Sequence, residues 1–342
     1  CRFHYNRMLS AKVAQYEKDG TVLRTTPASY KKEFPWLKEV DSLALCNVQM
    51  HLEQAYKNFY TRPEVGYPKF KSKHRSSSSY TTNLVNGNIR LENSRLRLPK
   101  LGNVKIVCHR PIAPEWRMKS VTVSMEPSGK YYASILCECD AVENQDRIVP
   151  PDERHILGID FAMHGLAVFS DGSTAGYPAY YRRAQEKLAR EQRKLSHCEK
   201  GSRNYGKQRK KVAGCHEKVR NQRKDFHHKL SRKIADTYDM VAVEDLNMKA
   251  MSRSLHFGRS VMDNGYGMFL TMLEYKLRDQ GKQLVKVDRF FPSSKRCSVC
   301  GRVKQDLALA DRVYRCSCGN IMDRDVNAAV NIRDEAYRQI GA

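Results

Sequence analysis

Cys297-Ser-Val-Cys300, a gap of 15 residues, Cys316-Ser-Cys318, and then Asp323-Arg-Asp325-Val-Asn327-Ala-Ala form the stretch on which the reading of the fold turns. Two close pairs of thiolates can hold a tetrahedral zinc, and a closed four-sulfur site stabilises a fold rather than catalysing a reaction. The second pair has one spacer instead of two. Gly301 and Gly319 follow the pairs, as tight knuckles of permissive backbone require. Cys297, Cys300, Cys316 and Cys318 are therefore the candidate ligands of a structural zinc ribbon. Carboxylates just beyond such a site, in a strongly basic chain, point to metal-dependent cutting of nucleic acid.

The chain has 342 residues, enough for two or three domains. Its 61 Lys+Arg against 37 Asp+Glu give a net charge of +24, for which the natural partner is a polyanion and a membrane surface only the runner-up. No apolar run reaches the 18 or so residues of a membrane-spanning helix, and no secretory leader is visible, so no membrane partner is expected. Of the 11 cysteines, four have ligand spacing. Cys1, Cys46, Cys108, Cys137, Cys139, Cys198 and Cys215 are scattered and read as reduced thiols in a cytoplasmic protein. Cys1-Arg-Phe-His already reads as a helix in progress, and a preceding N-terminal segment is expected.

Residues 1 to about 60 carry apolar side chains at helical spacing, from Leu37 through Leu45, Val48 and Leu52 to Phe59, punctuated by Asp19-Gly20 and Pro35. Tyr67-Pro-Lys-Phe-Lys-Ser-Lys-His-Arg and Ser76 to Ser79 form a basic loop whose Tyr67 and Phe70, with Tyr80, suit either base stacking or core packing. Short strands follow to about 140, with Asn86-Gly87 and Ser128-Gly129 as hairpin turns. Residues 142–154, with Pro150-Pro151, read as a linker. Between Arg182 and Lys233 there are 19 Lys+Arg, 5 Asp+Glu and no proline, which predicts a basic helix pair turning near Gly201 to Gly206. Such a pair is either a solvated face or a phosphate-binding one. Met268 to Arg278 reads as an amphipathic helix, Gln283-Leu-Val-Lys-Val as a strand, and the chain closes on a helix from about Val326.

Three carboxylates sit where a nuclease would need them. Asp160 ends the apolar strand Ile156-Leu-Gly-Ile, Glu244 ends Met240-Val-Ala-Val, and Asp325 opens the last helix. Converging at one end of a sheet, they could hold two magnesium ions, one to activate water and one to stabilise the leaving 3′ oxygen. Strand–hairpin, strand, then C-terminal helix is the order of RNase H-like folds. Each acid has a plainer reading as a cap or an arginine partner. Asp325 could cap the final helix, and Asp323 competes with it for the third position. Asp245 points to the opposite face of its strand and reads as structural.

Gly158-Ile-Asp160, Asp225-Phe-His-His-Lys-Leu-Ser231, Val243-Glu244-Asp-Leu-Asn247, Phe291-Pro-Ser-Ser-Lys-Arg-Cys297, the two cysteine pairs and Asp323 to Ile332 together resemble the TnpB family, transposon-encoded RNA-guided DNA nucleases related to type V CRISPR effectors. The resemblance is dense from 156 to 335 and thinner at Tyr5-Asn6 and Tyr67-Pro-Lys-Phe. It implies a multidomain α/β chain: a helical recognition domain over 1–62, a wedge β-barrel over 63–150, and an RNase H-like RuvC nuclease domain over 151–292 carrying the basic helix pair 182–233. A zinc ribbon that binds target nucleic acid would be inserted over 293–321, before the RuvC C-terminal helix at 322–342. The resemblance also implies a first wedge strand ahead of Cys1. Asp160, Glu244 and Asp325 match the family's catalytic, magnesium-binding positions, and the four cysteines its zinc ligands.

The expected function is that of a magnesium-dependent RNA-guided endonuclease. It would bind a guide RNA, recognise a short flanking motif in double-stranded DNA, form an RNA–DNA heteroduplex and cut, as a monomer in the cytoplasm acting at the nucleoid. A compact type V CRISPR effector is the near alternative. A nuclease-inactive guided repressor is the alternative of a different class, and retention of all three carboxylates argues against it. A DNA-joining transposase ranks lowest, because no tyrosine or His-x-His constellation stands out.

Overall fold

A computed structural model of the chain describes residues 1–73, 78–140, 152, 155–162, 165–247, 263–308 and 310–341. The chain divides into two compact units, 1–141 and 142–342. The expected linker over 142–154 lies outside the described residues except for residue 152, as do residues 74–77 of the basic loop.

In the first unit, helices α1 (Arg2–Asp19), α2 (Pro27–Glu33) and α3 (Ser42–Thr61), with a 3₁₀ turn at Pro35–Glu39, bury Tyr5, Met8, Leu9, Leu37, Leu45 and Leu52 together. The helix α3 starts where Asp41 caps it, its carboxylate accepting from the Leu43 N–H at 3.0 Å. The Asn6 side chain grips the basic loop like a strand partner, donating to the Lys71 carbonyl at 2.9 Å and accepting from the Lys71 N–H at 2.8 Å. The Lys71 ammonium rests 4.1 Å from the Tyr5 ring centroid. Those contacts give Tyr5-Asn6 and the loop a shared structural reason.

Six strands follow: β1 (Ser78–Asn83), β2 (Arg90–Glu92), β3 (Arg95–Leu98), β4 (Gly102–Lys105), β5 (Arg117–Met125) and β6 (Tyr131–Glu138). They form two antiparallel sheets, β1-β5-β6 and β2-β3-β4, which share one apolar cluster around Ile89, Leu96, Leu98 and Val121. Ser128-Gly129 closes the β5–β6 hairpin as its sequence predicts. Asn86-Gly87 does turn the chain, with φ of 50° and 69°, but it joins strands of different sheets. The tight β2–β3 turn is made by Asn93-Ser94, both with positive φ. No glycine marks it, because Asn tolerates the left-handed region and Ser follows it there at some cost.

The second unit is built on a four-stranded sheet of order β10-β9-β7-β8, from β7 (Ile156–Ala162), β8 (Leu166–Phe169), β9 (Met240–Glu244) and β10 (Gln283–Val287). β7, β9 and β10 are parallel and β8 antiparallel. β7 and β9 read as apolar runs up to their acids because both faces are covered, whereas the edge strand β10 keeps Gln283 and an exposed Lys286. One face, Leu157, Ile159, Val241 and Val243, packs on α5 (Arg203–Thr237) and α6 (Tyr266–Arg278). The other, Ile156, Met240, Ala242 and Val287, packs on Ile332 and Ala336 of α7 (Arg324–Gly341). Helix α4 (Tyr180–Ser196) pairs with α5 to form the predicted basic helix pair, turning over residues 197–202. The segment Asp225 to Ser231 docks α5 on α6: His227 is fully buried against Tyr177 and Phe269, and Lys276 donates to the His228 carbonyl and the Ser231 hydroxyl, both at 2.7 Å. Burial holds the His227 imidazole at a pKa of about 4, so it is neutral. Among the described residues no helix is long and apolar enough to cross a membrane.

The register of α7 against β7 is set at Gly158. A Cβ there would stand 2.0 Å from the Ala329 carbonyl oxygen and 2.9 Å from the Cβ of Arg333. Neither backbone can give way cheaply, so Gly158→Ala should destabilise the protein by at least the ~1–3 kcal/mol of an overpacked core. Denaturant unfolding of the two proteins checks this, and equal midpoints would show that α7 can slide.

Candidate active site and zinc centre

Strands β7 and β9 pair in parallel from Ile156–Met240 through Ile159–Val243. The next residue on each is an acid, Asp160 on one and Glu244 on the other. Adjacent strands lie about 4.8 Å apart, so these two sit side by side at the C-terminal edge of the sheet. Alternation places both on the face shared by Gly158 and Ala242, the face that α7 covers. Two strand residues beyond Gly158 span about 6.6 Å, and four helical residues back from Ala329 span about 6 Å. That arithmetic carries Asp325, in the first turn of α7, over Asp160.

The electrostatics agree. Asp160 keeps some solvent exposure but is largely enclosed by protein, and burial pushes its carboxyl well above the usual carboxylate range. Glu244 and Asp325 push it further, Arg324 opposes, and Asp323 adds the least. Glu244 is also raised by burial, against a hydrogen bond donated by the Ser293 hydroxyl to its Oε1. The three acids singled out in the sequence are thus near enough for Glu244 and Asp325 to act on Asp160, but among the described residues it is the four cysteines, and not these carboxylates, whose ligand atoms draw together closely enough to share one ion as they stand.

The two candidates for the third position differ in their surroundings. Asp323 is exposed and caps α7, its Oδ1 accepting from the N–H groups of Asp325 at 2.9 Å and Val326 at 3.1 Å. Asp325 acts on Asp160 more strongly than Asp323 does, and Arg312 stands 3.9 Å from its Oδ2. Asp245 lies outside the cluster and pairs with Arg289 at 2.8 Å. Carboxylate oxygens are the ligands that a hard divalent ion takes.

The zinc ribbon sits between β10 and α7. Its second knuckle is bracketed by β11 (Val313–Arg315) and β12 (Ile321–Asp323), and its first by a bridge between Arg296 and Val303. The Sγ atoms of Cys297 and Cys318 are 3.7 Å apart and those of Cys300 and Cys316 3.6 Å, with all four within 4.8 Å of one another. A tetrahedron with Zn–S bonds of about 2.3 Å has edges of about 3.8 Å, which the two close pairs match, so the four sulfurs could hold zinc. Gly301 and Gly319, with φ of 74° and 93°, donate back to the carbonyls of Cys297 and Cys316. Burial works to raise the Cys297 thiol, but N–H donors from Cys300 and Val299 outweigh it and hold the pKa at about 6.

Several residues that hold this arrangement carried no role in the sequence reading. Asn327 and Asn331, one turn apart and buried on α7, both donate to the Arg296 carbonyl at 2.7 Å. Asn331 also donates to the Ser293 carbonyl at 2.8 Å, and Asn327 accepts from the Ser298 N–H at 3.1 Å. Two buried amides four residues apart on an otherwise apolar helix face were the available signal. Elsewhere in this unit a groove of about 650 Å³ runs between α4 and α5, lined by Arg183, Lys187, Lys194, Lys211 and Lys218. In the first unit, Tyr67 packs edge-on against Tyr56 and Phe59, whereas Phe70 is 61% exposed.

Residues 140–255 match a family model described as "Probable transposase", and residues 266–332 match a Cas12f1-like TNB domain. A relative from Streptomyces pristinaespiralis, provisionally named an RNA-guided DNA endonuclease, is 36% identical over 305 residues, spanning 88% of this chain and 73% of its own length. Another from Escherichia coli (strain K12), provisionally named in the same way, is 31% identical over 355 residues, spanning 97% and 85%. A Cas12f1–sgRNA–target DNA complex solved by cryo-electron microscopy shares the fold, with a TM-score of 0.55 at 14% identity over 96% of this chain and 80% of that one. The chain belongs to the TnpB family.

Two outcomes are expected here. Cys297→Ser should abolish stoichiometric zinc and lower the melting temperature, and a retained one-to-one zinc content, measured by atomic absorption, would contradict the four-sulfur site. The raised Asp160 carboxyl makes the folded state bind its proton more tightly than the unfolded chain, whose value is near 3.8. Its contribution to stability is therefore full below that pH and lost as pH rises through the folded value. In zinc-loaded, magnesium-free protein Asp160→Asn should raise the melting temperature at pH 7, with the gain shrinking toward pH 4. A melting temperature that is the same for both proteins at pH 7 would count against the crowded carboxylates.

Proposed function

We propose that the chain is an RNA-guided DNA endonuclease in which Asp160, Glu244 and Asp325 hold divalent metal, magnesium in the cell. The observation that carries this reading is the enclosed Asp160 carboxyl flanked by Glu244 and Asp325 from two other elements. Three acids from separate strands and a helix, crowded at one sheet edge, carry an electrostatic cost that divalent cations would offset. Bound there, a metal pair supplies an activated water and charge stabilisation at the leaving oxygen of a phosphodiester. The protein's part is placement: β7 and β9 set Asp160 beside Glu244, Asp323 caps α7 so that Asp325 stays available, and Gly158 fixes the depth of that helix.

The relatives' names and the +24 charge support nucleic acid as partner, RNA as guide and double-stranded DNA as target. In this reading guide pairing supplies sequence specificity, and the protein grips the RNA–DNA heteroduplex by its backbone. The lysine-lined groove between α4 and α5 suits phosphate contact. The helices of 1–62 serve as a recognition domain, the strands of 63–150 as a wedge reading a short flanking motif, and the ribbon of 293–321 as a target-nucleic-acid module. The protein acts as a monomer in the cytoplasm, at the nucleoid.

Asp160→Ala should reduce cleavage of guided target DNA to background while leaving RNA-guided binding within about twofold, because metal is lost and phosphate contacts remain. Cleavage by this variant at the normal rate would remove Asp160 from the site. Loss of binding as well would mean that the acid serves the fold instead.

A further inference from the structure

One short segment touches both metal centres. Residues 293–298 follow β10 after residues 288–292, carry the first zinc ligand at Cys297, and pass along the start of α7. Ser293 is 6% exposed, too buried for water to replace its partners. Its hydroxyl donates to Glu244 Oε1, and its own carbonyl accepts from Asn331. Three further bonds hold the rest of the segment to the same helix: Asn327 and Asn331 on the Arg296 carbonyl, and Ser298 N–H on Asn327. Tyr314, on the strand before the second cysteine pair, donates to the Lys295 carbonyl at 3.0 Å. A continuous set of hydrogen bonds thus runs from the ribbon, through Ser293, to the carboxylate of Glu244, and the helix that clamps it is the one that carries Asp325.

We infer that Ser293 is a positioning residue: it orients the Glu244 carboxylate for divalent metal, and the base of the zinc ribbon, locked by Asn327 and Asn331, holds Ser293 in place. A carboxylate with one oxygen engaged by a fixed donor presents the other in a defined direction. Such outer partners are worth roughly 10–100-fold in metal affinity. The ribbon then has a second task, setting the geometry of the acidic site as well as closing its own fold. This inference rests on the reading of Asp160, Glu244 and Asp325 as the metal site.

The test uses full-length, zinc-loaded protein and titrates Mn²⁺ by calorimetry, with cleavage followed against Mg²⁺ in parallel. Ser293→Ala should weaken Mn²⁺ binding about tenfold. It should raise the Mg²⁺ needed for half-maximal cleavage by a similar factor, recover near wild-type rate at saturating Mg²⁺, and leave guided DNA binding unchanged. Ser293→Thr, which keeps the hydroxyl, should stay within about threefold of wild type. If the alanine variant does not fold, Ser293→Cys keeps the volume, weakens the donor and carries the same expectation. Wild-type Mn²⁺ affinity in Ser293→Ala, alongside lost affinity in Asp160→Ala, would overturn the positioning role alone. Unchanged Mn²⁺ affinity in Asp160→Ala would instead overturn the metal site beneath it.

Discussion

Helix α7 lies so close to strand β7 that the Ala329 carbonyl leaves room for no carbon on Gly158. Much of the second unit depends on that approach. It lets Ala328 and Ala329 bury completely, seats Ile332 and Ala336 over Ile156 and Met240, and brings the first turn of the helix over the ends of the parallel strands. A bulkier residue at 158 or 329 would lift the helix and carry Asp325 away from its partners. The apolar contact between sheet and helix therefore decides the position of an acid, and packing has to outweigh the repulsion it creates.

The balance is visible around Asp160. Ionised carboxylates resist sharing an enclosed space, and at Asp160 the neighbouring Arg324 opposes the rise without cancelling it. Stability given up at such a point is a common feature of sites built for a charged ligand. The exposed acids take structural partners, Asp245 with Arg289 and Asp323 with the end of α7.

Much of this was legible before any coordinates. The apolar runs ending in Asp160 and Glu244 name their strands because a parallel sheet buried on both faces needs unbroken hydrophobic sequence. The cysteine spacing names the ribbon because knuckle geometry leaves few alternatives. What sequence could not supply were relations between distant elements. That Asp323, not Asp325, caps α7 depends on where β12 ends and the helix begins. That Ser293 meets Glu244 depends on the path from β10 into the ribbon. Asn86-Gly87 turned as expected yet joined different sheets, since a turn fixes local direction and not the strand that the next segment will choose.

The position of α7 at the far end of the nuclease unit has a temporal side. The ribosome delivers Asp160 and Glu244 well before Asp325, with the basic helices and the ribbon made in between. Until the final helix emerges, the sheet face of Ile156, Met240 and Ala242 has no cover and the acid cluster lacks its third member. A nascent chain on the ribosome therefore already has the long cationic helices that attract nucleic acid, but not yet the complete set of acids. The order of translation thus separates the basic helices in time from the last of the three acids.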